Sequence, residues 1–245
     1  MSALVLDDVK VHFGGVRALD GVSFSVEQGE LCGVVGPNGS GKTTMINAIS
    51  RVTKITSGEV TFQGAPISKL NPYRLSRVGV ARTFQGIRLV PDLTAHENIM
   101  VAAEQKDRRT GSAGERRAPS VIVDELMERF ALDPIRDELP GALSYGTQRR
   151  VEIVRALATE PQLLLLDEPV AGMNHAERDE ITQILRELHD DGLTMLIIEH
   201  DLRMLLSISD RLVVLNFGKL LAEGEPQATA KLPEVQRAYL GGDRG

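Results

Sequence analysis

The chain of 245 residues has no tryptophan and only one cysteine, and aromatic residues make up 4% of it. One thiol cannot form an internal disulfide, so the fold must be held together by other forces. Cys32 lies in an apolar run, and we interpret it as a core residue. These shortages exclude the class of small secreted proteins that depend on disulfide frameworks.

Long hydrophobic runs are also lacking, because no apolar segment approaches the ~20 residues needed to span a bilayer. The N-terminus has no basic region followed by a hydrophobic segment, so we expect no signal peptide and a cytoplasmic protein. The formal net charge of −6 argues against a surface that coats nucleic acid. Hydrophobic residues make up 42% of the chain and predict a full globular core.

One segment is more informative than any other. It lies between an apolar strand at residues 31–35 and a predicted helix at residues 42–50, and it has two glycines, a lysine and a hydroxyl residue at the offsets of a phosphate-binding P-loop. The segment reads Gly36, Pro37, Asn38, Gly39, Ser40, Gly41, Lys42, Thr43 and Thr44. The sequence therefore predicts a site for the phosphates of a nucleotide.

The residue types of this segment follow from the chemistry. Gly39 and Gly41 allow backbone turns that direct successive N–H groups into one concavity, at the positive end of the following helix. We expect Lys42 to reach the β- and γ-phosphates and the Thr43 hydroxyl to bind Mg²⁺. Thr44 either contacts a phosphate or continues the helix.

A second chemical signal is an apolar strand that ends in two acids. Residues 163–166 are four leucines, followed by Asp167, Glu168 and Pro169. Ligands of open α/β sheets bind at the carboxyl ends of the strands. We expect Asp167 to hold Mg²⁺ beside Thr43, and Glu168 to polarise the attacking water.

A third signal is the apolar strand at residues 195–198, which is followed by Glu199, His200 and Asp201. We expect His200 to donate a hydrogen bond to the γ-phosphate and so to distinguish ATP from ADP. The other histidines show no metal-ligand spacing.

The hydrophobic pattern divides the chain into strands and helices. The first 30 residues predict an antiparallel sheet, and residues 58–63 and about 78–82 predict a further strand pair. Helical periodicity covers residues 95–103, 121–130 and 177–189, and we interpret residues 106–117 as an exposed, mobile loop. Buried strands at residues 163–166, 195–198 and 212–215 alternate with helices, which predicts a parallel sheet covered on both faces.

One further motif carries a family resemblance. Residues 143–148 read Leu143, Ser144, Tyr145, Gly146, Thr147 and Gln148 and precede a predicted helix at residues 149–158. This stretch resembles the signature motif of ATP-binding cassette (ABC) ATPases, usually Leu-Ser-Gly-Gly-Gln. The P-loop, Gln85, the signature, the acid pair and His200 occur in that family's order, and the resemblance covers essentially the whole chain.

The resemblance implies a fold and a domain organisation. It implies an α/β P-loop NTPase (RecA-like) core with a mainly parallel sheet, an N-terminal antiparallel β-subdomain and an inserted α-helical subdomain. Residues 1–245 would form one ABC ATPase domain. Residues 1–86 and 155–222 would form the catalytic core with the β-subdomain, residues 87–154 the helical subdomain with the signature, and residues 223–245 a C-terminal tail.

The resemblance also implies residue roles. Ser144 and Gly146 would cap the γ-phosphate held by the P-loop of a second ABC ATPase subunit, in a head-to-tail dimer around two Mg-ATP. Phe13 would stack on adenine, although a core phenylalanine in a strand is the alternative. Gln85 would sit near Mg²⁺ and link the core to the helical subdomain, completing a catalytic set of Lys42, Gln85, Glu168 and His200.

A closer likeness is to the ATPases of branched-chain amino-acid import systems. It rests on residues 82–85, which read Arg-Thr-Phe-Gln, on Tyr145, on residues 198–201 and on residues 237–242. The likeness implies transmembrane permease subunits as partners at the inner face of the membrane, and indirectly a solute-binding protein. Thr147, in place of the signature's glutamine, and Asn174, where many relatives have aspartate, depart from the family pattern.

Other functions remain open at this point. A lipopolysaccharide-type exporter ATPase has similar residues at 149–153 and a similar C-terminus. A non-transport ABC module that acts on nucleic acid or ribosomes would carry coiled-coil insertions or tandem cassettes, and the chain has neither. A simple P-loop kinase or GTPase would have no use for a signature motif.

Overall fold

The computed structural model describes residues 1–107 and 117–240. The strands are β1 (Ser2–Phe13), β2 (Val16–Glu27), β3 (Leu31–Val35), β4 (Ser57–Phe62), β5 (Ala65–Pro66), β6 (Val80–Arg82), β7 (Leu163–Asp167), β8 (Thr194–Ile198), β9 (Arg211–Asn216) and β10 (Lys219–Gly224). The helices are α1 (Lys42–Ile49), α2 (Pro72–Leu75), α3 (Ala95–Asp107), α4 (Pro119–Arg129), α5 (Tyr145–Leu157), α6 (His175–Asp190), α7 (Leu202–Ile208), α8 (Pro226–Ala230) and α9 (Pro233–Leu240).

The central sheet has six strands in the order β10-β9-β3-β8-β7-β6. The pairings β9-β3, β3-β8, β8-β7 and β7-β6 are parallel, whereas β10 runs antiparallel to β9. Every residue of β3, β7 and β8 is buried, as their continuous apolar sequences require of strands covered on both faces. The predicted parallel sheet is therefore confirmed.

The period of two residues in these strands divides the core into two clusters. In β7, Leu163 and Leu165 face the cluster that contains α1 and the strands β1, β2 and β4. Leu164 and Leu166 face the opposite cluster, which contains residues of α3 to α7 and α9. Because the two faces of the central sheet pack against different layers, the sheet contributes side chains to both core clusters.

The second sheet has four strands in the order β2-β1-β4-β5, and its pairings are antiparallel. It confirms the antiparallel sheet expected at the N-terminus. The predicted pairing of residues 58–63 with residues 78–82 is wrong. Strand β4 pairs with β1, whereas β6 pairs with β7 in the central sheet. Val80 and Ala81 are buried there, so the short apolar segment extends the main core instead of forming a surface hairpin.

Helix α5 begins at Tyr145, four residues earlier than predicted, because the Ser144 hydroxyl caps its first turn. The range predicted as a C-terminal tail contains the end of β10 and the helices α8 and α9. Most of the loop predicted at residues 106–117 lies outside the described residues. Within residues 1–107 and 117–240, no helix has the length and apolar character to cross a membrane.

Parallel pairing brings three loops to one edge of the central sheet. The P-loop follows β3, Asp167 and Glu168 end or follow β7, and His200 follows β8. Because β3, β8 and β7 are successive neighbours, these loops are adjacent in space. The fold therefore brings the three chemical signals of the sequence together.

Candidate nucleotide-binding site

The P-loop wraps around the ammonium group of Lys42. The Lys42 Nζ donates hydrogen bonds to the carbonyl oxygens of Gly36 at 2.7 Å and Pro37 at 3.1 Å. Lys42 is buried, and this burial lowers the pKa of its ammonium, an effect that the carboxylates of Glu168 and Asp167 oppose. The charge is thus held beneath the loop by backbone oxygens that a phosphate group can replace.

Two glycines of the loop are required by close backbone contacts. Gly36 has a φ of 154°, and a Cβ at this position would lie 2.2 Å from the Leu215 carbonyl oxygen. Gly41 has a φ of 105°, and its Cβ would lie 2.6 Å from the Ala18 carbonyl oxygen. No other residue type fits either position without moving β9 or β2.

A cavity of about 690 Å³ opens over this loop. It brings together most of the predicted site residues and adds four that the sequence did not indicate. The predicted lining residues are Phe13, Asn38, Gly39, Ser40, Gly41, Lys42, Thr43, Thr44, Gln85, Glu168 and His200. The added ones are Val16, Arg17, Ala18 and Phe217. Phe13 is 55% exposed, so the core alternative for this residue is wrong.

Five predicted site residues do not line the cavity. Gly36 and Pro37 lie behind it as acceptors for Lys42, and Asp167 is buried beside it. Ser144 and Gly146 lie elsewhere, at the start of α5. This separation is what the resemblance implies for residues that act on a partner's nucleotide.

Glu168 is held by two side chains from neighbouring loops. His200 Nε2 lies 2.8 Å from Glu168 Oε1, and Gln85 Nε2 donates to Glu168 Oε2 at 2.8 Å. The Glu168 backbone has a φ of 50°, an uncommon left-handed conformation for a residue other than glycine. Such strain is often found at functional positions, where the surrounding structure over-determines it. The carboxylate therefore points into the cavity with both oxygens oriented.

Asp167 is fixed by one buried ion pair and retains one free oxygen. Arg82 Nη2 lies 2.8 Å from Asp167 Oδ2, and among the described residues Asp167 Oδ1 has no hydrogen-bond partner. Burial raises the pKa of the Asp167 carboxyl, although Arg82 opposes this shift. An orphaned buried oxygen is costly, so it indicates a missing ligand or water.

The donor set at this point fits Mg²⁺. Asp167 offers one carboxylate oxygen, while Thr43 and Gln85 line the cavity and carry a hydroxyl and an amide oxygen. In the described residues no cluster of three His, Cys, Asp or Glu side chains could hold a metal by itself. Mg²⁺ in nucleotide sites typically takes one or two carboxylates and completes its shell with phosphate oxygens and water.

Glu199 supports the two loops that carry Glu168 and His200. Its buried carboxylate accepts the backbone N–H groups of Val170 at 2.9 Å, His200 at 3.0 Å and Asp201 at 3.4 Å. Burial raises the pKa of the Glu199 carboxyl, and these hydrogen bonds oppose the shift. One side chain thus ties the loop after β7 to the loop after β8.

Arg149 connects the signature helix to Gln85. The guanidinium is fully buried and donates to the carbonyl oxygens of Phe84 and Gln85, each at 2.6 Å, and to Glu152 Oε2 at 2.6 Å. This role of Arg149 was not predicted from the sequence. The signal was available in the helical period, since Arg149 shares a face with the buried residues Ile153 and Ala156.

The signature residues already hold an anionic oxygen. The Ser144 hydroxyl accepts the Thr147 N–H at 3.2 Å, as an N-cap does. Glu177 Oε1 lies 3.3 Å from both the Gly146 N–H and the Ser144 hydroxyl, which donate to it. The other oxygen of Glu177 accepts the Asn174 N–H at 3.2 Å in the capping box of α6. The helix N-terminus and the serine therefore form a site that accepts negative charge.

Comparisons with known proteins agree with this geometry. A profile of the ABC transporter family matches residues 19–171. The chain is 38% identical to the high-affinity branched-chain amino acid transport ATP-binding protein LivG of Salmonella typhimurium, with 97% of each chain covered. It is 34% identical to the lipopolysaccharide export system ATP-binding protein LptB of Escherichia coli K12, with 99% of each covered.

Solved structures show the same similarity. The ADP conformation of MJ1267, an ATP-binding cassette of an ABC transporter, superposes with a TM-score of 0.85 at 32% identity and covers 98% of this chain and 99% of its own. The dimeric structure of MJ0796, a bacterial ABC transporter cassette, superposes with a TM-score of 0.77 at 31% identity and covers 91% of this chain and 98% of its own.

We expect Arg149→Met to lower the free energy of unfolding by about 3–5 kcal/mol, because it leaves the Glu152 carboxylate buried without its nearest cation. Urea denaturation measures the change. The matched control is Arg150→Met, since Arg150 is only partly buried and pairs at 3.4 Å with the exposed Glu180. That variant should cost less than about 1 kcal/mol. Equal losses in the two variants would contradict the structural role of Arg149.

Proposed function

The chain belongs to the ABC transporter family as an ATP-hydrolysing subunit, and we propose that it powers the import of branched-chain or related amino acids. The single observation that supports ATP hydrolysis by this site is the orientation of Glu168 by His200 and Gln85 in the cavity over the P-loop. The proposal for the cargo rests on the similarity to LivG over 97% of both chains.

In the proposed reaction, the P-loop binds the triphosphate of ATP. Phosphate oxygens replace the Gly36 and Pro37 carbonyls as acceptors for Lys42, whose buried ammonium neutralises negative charge on the transferred group. Mg²⁺, held by Thr43, Asp167 and Gln85, would supply further charge neutralisation at the phosphates. Arg82 keeps the Asp167 carboxylate in place for this task.

Glu168 then orients and polarises the water that attacks the terminal phosphate. Its two oxygens are fixed by His200 and Gln85, so little reorganisation is needed when the water binds. His200 can exchange its contact with Glu168 for a γ-phosphate oxygen, which makes the arrangement sensitive to whether that phosphate is present. A movement of Gln85 on phosphate binding would be transmitted to α5, because Arg149 of α5 donates a hydrogen bond to the Gln85 carbonyl oxygen.

The second half of the site comes from a partner in this proposal. Ser144 and Gly146 donate to the Glu177 carboxylate in the single chain, which is the chemistry needed to bind a γ-phosphate. They lie outside the chain's own nucleotide cavity. We therefore propose a head-to-tail pair of ABC ATPase subunits, identical or related, that closes on two ATP molecules. The MJ0796 cassette, which is similar to this chain, has a dimeric structure, and this supports the pairing of two subunits.

A permease must contact the ATPase to use this closure. A groove of about 460 Å³ runs between α3 and the central sheet, and its lining includes Val52, Phe84, Val90 and Val101. Val52, Val90 and Val101 are exposed, although they are apolar. We propose that a permease segment at the inner face of the membrane binds this groove. Phe84 precedes Gln85, so the groove adjoins the catalytic centre.

Lipopolysaccharide export is a second candidate function. It is favoured by the 34% identity to LptB over 99% of both chains. In both proposals the permease carries the cargo, so the difference between these two functions lies in the permease that the chain joins.

We expect Glu168→Gln to bind ATP normally but to hydrolyse it at least ~10²-fold more slowly, because the neutral amide cannot polarise water. Steady-state phosphate release and equilibrium ATP binding measure the two effects. Glu180→Gln, an exposed glutamate on α6, is the control and should keep wild-type turnover. Unchanged turnover in Glu168→Gln would remove the residue from the proposed role.

We expect Ser144→Arg to leave ATP binding by the single chain intact and to abolish dimerisation driven by ATP, measured by light scattering in the Glu168→Gln background. The large cation would fill the space that a partner's phosphate needs. Ser57→Arg, at the exposed start of β4, should dimerise normally. Loss of ATP binding in the Ser144→Arg monomer would mean that the signature acts on its own nucleotide.

The cargo proposal is tested by purifying the chain together with its permease and placing the complex in vesicles. We expect ATP hydrolysis to rise when leucine, isoleucine or valine is supplied with the matching solute-binding protein, and to stay at its basal rate with lysine. Stimulation by lipopolysaccharide instead would contradict amino-acid import and support the exporter.

A further inference from the structure

The nucleotide cavity has an aromatic residue that the hydrolytic roles do not use. Phe217 lies in the turn between β9 and β10, is 83% exposed and lines the same cavity as Phe13. A phenylalanine exposed to this degree loses the benefit of apolar burial. Val16, which is 64% exposed, lines the cavity as well. The cavity lining therefore includes three apolar side chains from two different hairpins.

The backbone at Phe217 is strained. Phe217 has a φ of 44° and Gly218 a φ of 74°, so both central residues of this two-residue hairpin turn are left-handed, as in a type I′ turn. Such turns favour Asn-Gly or Asp-Gly, because bulky residues rarely adopt a positive φ. An aromatic side chain at the first position costs stability, which points to a use outside the turn itself.

The turn is also fixed against the nucleotide site. The Gly218 N–H donates to the Ser40 carbonyl oxygen of the P-loop at 2.9 Å. The Gly218 carbonyl oxygen accepts the Asp20 N–H of β2 at 2.8 Å. A Cβ at Gly218 would lie 2.8 Å from the Ala18 carbonyl oxygen, so the turn and β2 are in close contact. The turn that carries Phe217 thus contacts both the P-loop and the β1-β2 hairpin that contains Phe13.

We propose that Phe217 is a nucleobase-binding residue, which gives the base of ATP a second aromatic contact in addition to Phe13. The inference rests on the proposed nucleotide site. Every base has a π-face, and aromatic side chains bind such faces by stacking or edge contacts. Phe217 has no polar group with which to hydrogen-bond ribose or phosphate, so we assign its contact to the base.

The test compares ligands with and without a base. We expect Phe217→Asn, which suits the left-handed turn, to weaken ATP binding by about 5- to 150-fold. It should leave competition by inorganic tripolyphosphate unchanged, because that ligand uses only the P-loop. The melting temperature should stay the same or rise, since the backbone strain is relieved. Phe217→Tyr should bind ATP as the wild type does.

Tyr73→Ala is the matched control, because Tyr73 is an exposed aromatic (60%) outside the cavity lining, and its loss should leave ATP binding unchanged. The chain has no tryptophan, so Phe217→Trp also provides a single fluorescent reporter. Its emission should change with ATP and stay constant with tripolyphosphate.

The outcomes separate the two proposals. A wild-type chain that binds ATP no better than Lys42→Ala would overturn the nucleotide site itself. ATP binding that is normal in both the wild type and Phe217→Asn would overturn only the role of Phe217. Equal weakening of ATP and tripolyphosphate in Phe217→Asn would also overturn it, because the residue would then act through the P-loop.

Discussion

The nucleotide site depends on a cation that is buried before any anion arrives. Lys42 lies beneath the loop that precedes it, and the Gly36 and Pro37 carbonyls stabilise its charge. Burying an ammonium is costly unless it is hydrogen-bonded, so the loop must curl closely around it. The curled loop lies so close to the neighbouring strands that a Cβ at Gly36 would collide with β9 and one at Gly41 with β2. Glycine is therefore required at both positions.

The side chains that we propose act in hydrolysis are positioned by buried charged groups that do not line the cavity. Arg82 fixes Asp167, Glu199 ties the loops of Glu168 and His200 together, and Arg149 fixes the backbone of Gln85. Each of these supports crosses from one secondary-structure element to another. A shift of α5 would therefore move Gln85, and through it the Glu168 carboxylate. The Arg149 hydrogen bonds therefore link the helix that begins with the signature to the backbone at Gln85.

Local patterns predicted the parts of the fold that depend on local chemistry. Continuous apolar runs identified β3, β7 and β8, and polar residues after them identified one edge of the sheet. Strand pairing could not be predicted in the same way, because β4 and β6 are both short and their sequences do not specify a partner strand. They join separate sheets through partners that are distant in sequence, β1 for β4 and β7 for β6, although Val60 and Val80 pack into the same core cluster. The strand partners of β4 and β6 were therefore not predictable from local sequence patterns.

The site residues that were not predicted also depend on tertiary contacts and not on local sequence patterns. Arg149 sits on a helix face that periodicity marks as buried, but charge made it look like a surface residue. Glu177 and Phe217 gave no signal, because each acts across a contact between distant segments. Residues with fixed motif spacing were predictable, whereas those that matter through tertiary proximity were not.

In the proposed head-to-tail pair, the contact between Glu177 and the start of α5 would make association conditional on nucleotide. Without nucleotide, the Ser144 and Gly146 donors are already satisfied by an internal carboxylate, so this part of the surface gains nothing from meeting another copy. A triphosphate brought to the same donors by a neighbour must displace that carboxylate and stand beside it, and two anions in proximity repel. The closed pair would consequently hold only while bound phosphate outcompetes the protein's own acid, and it would part once the phosphate leaves.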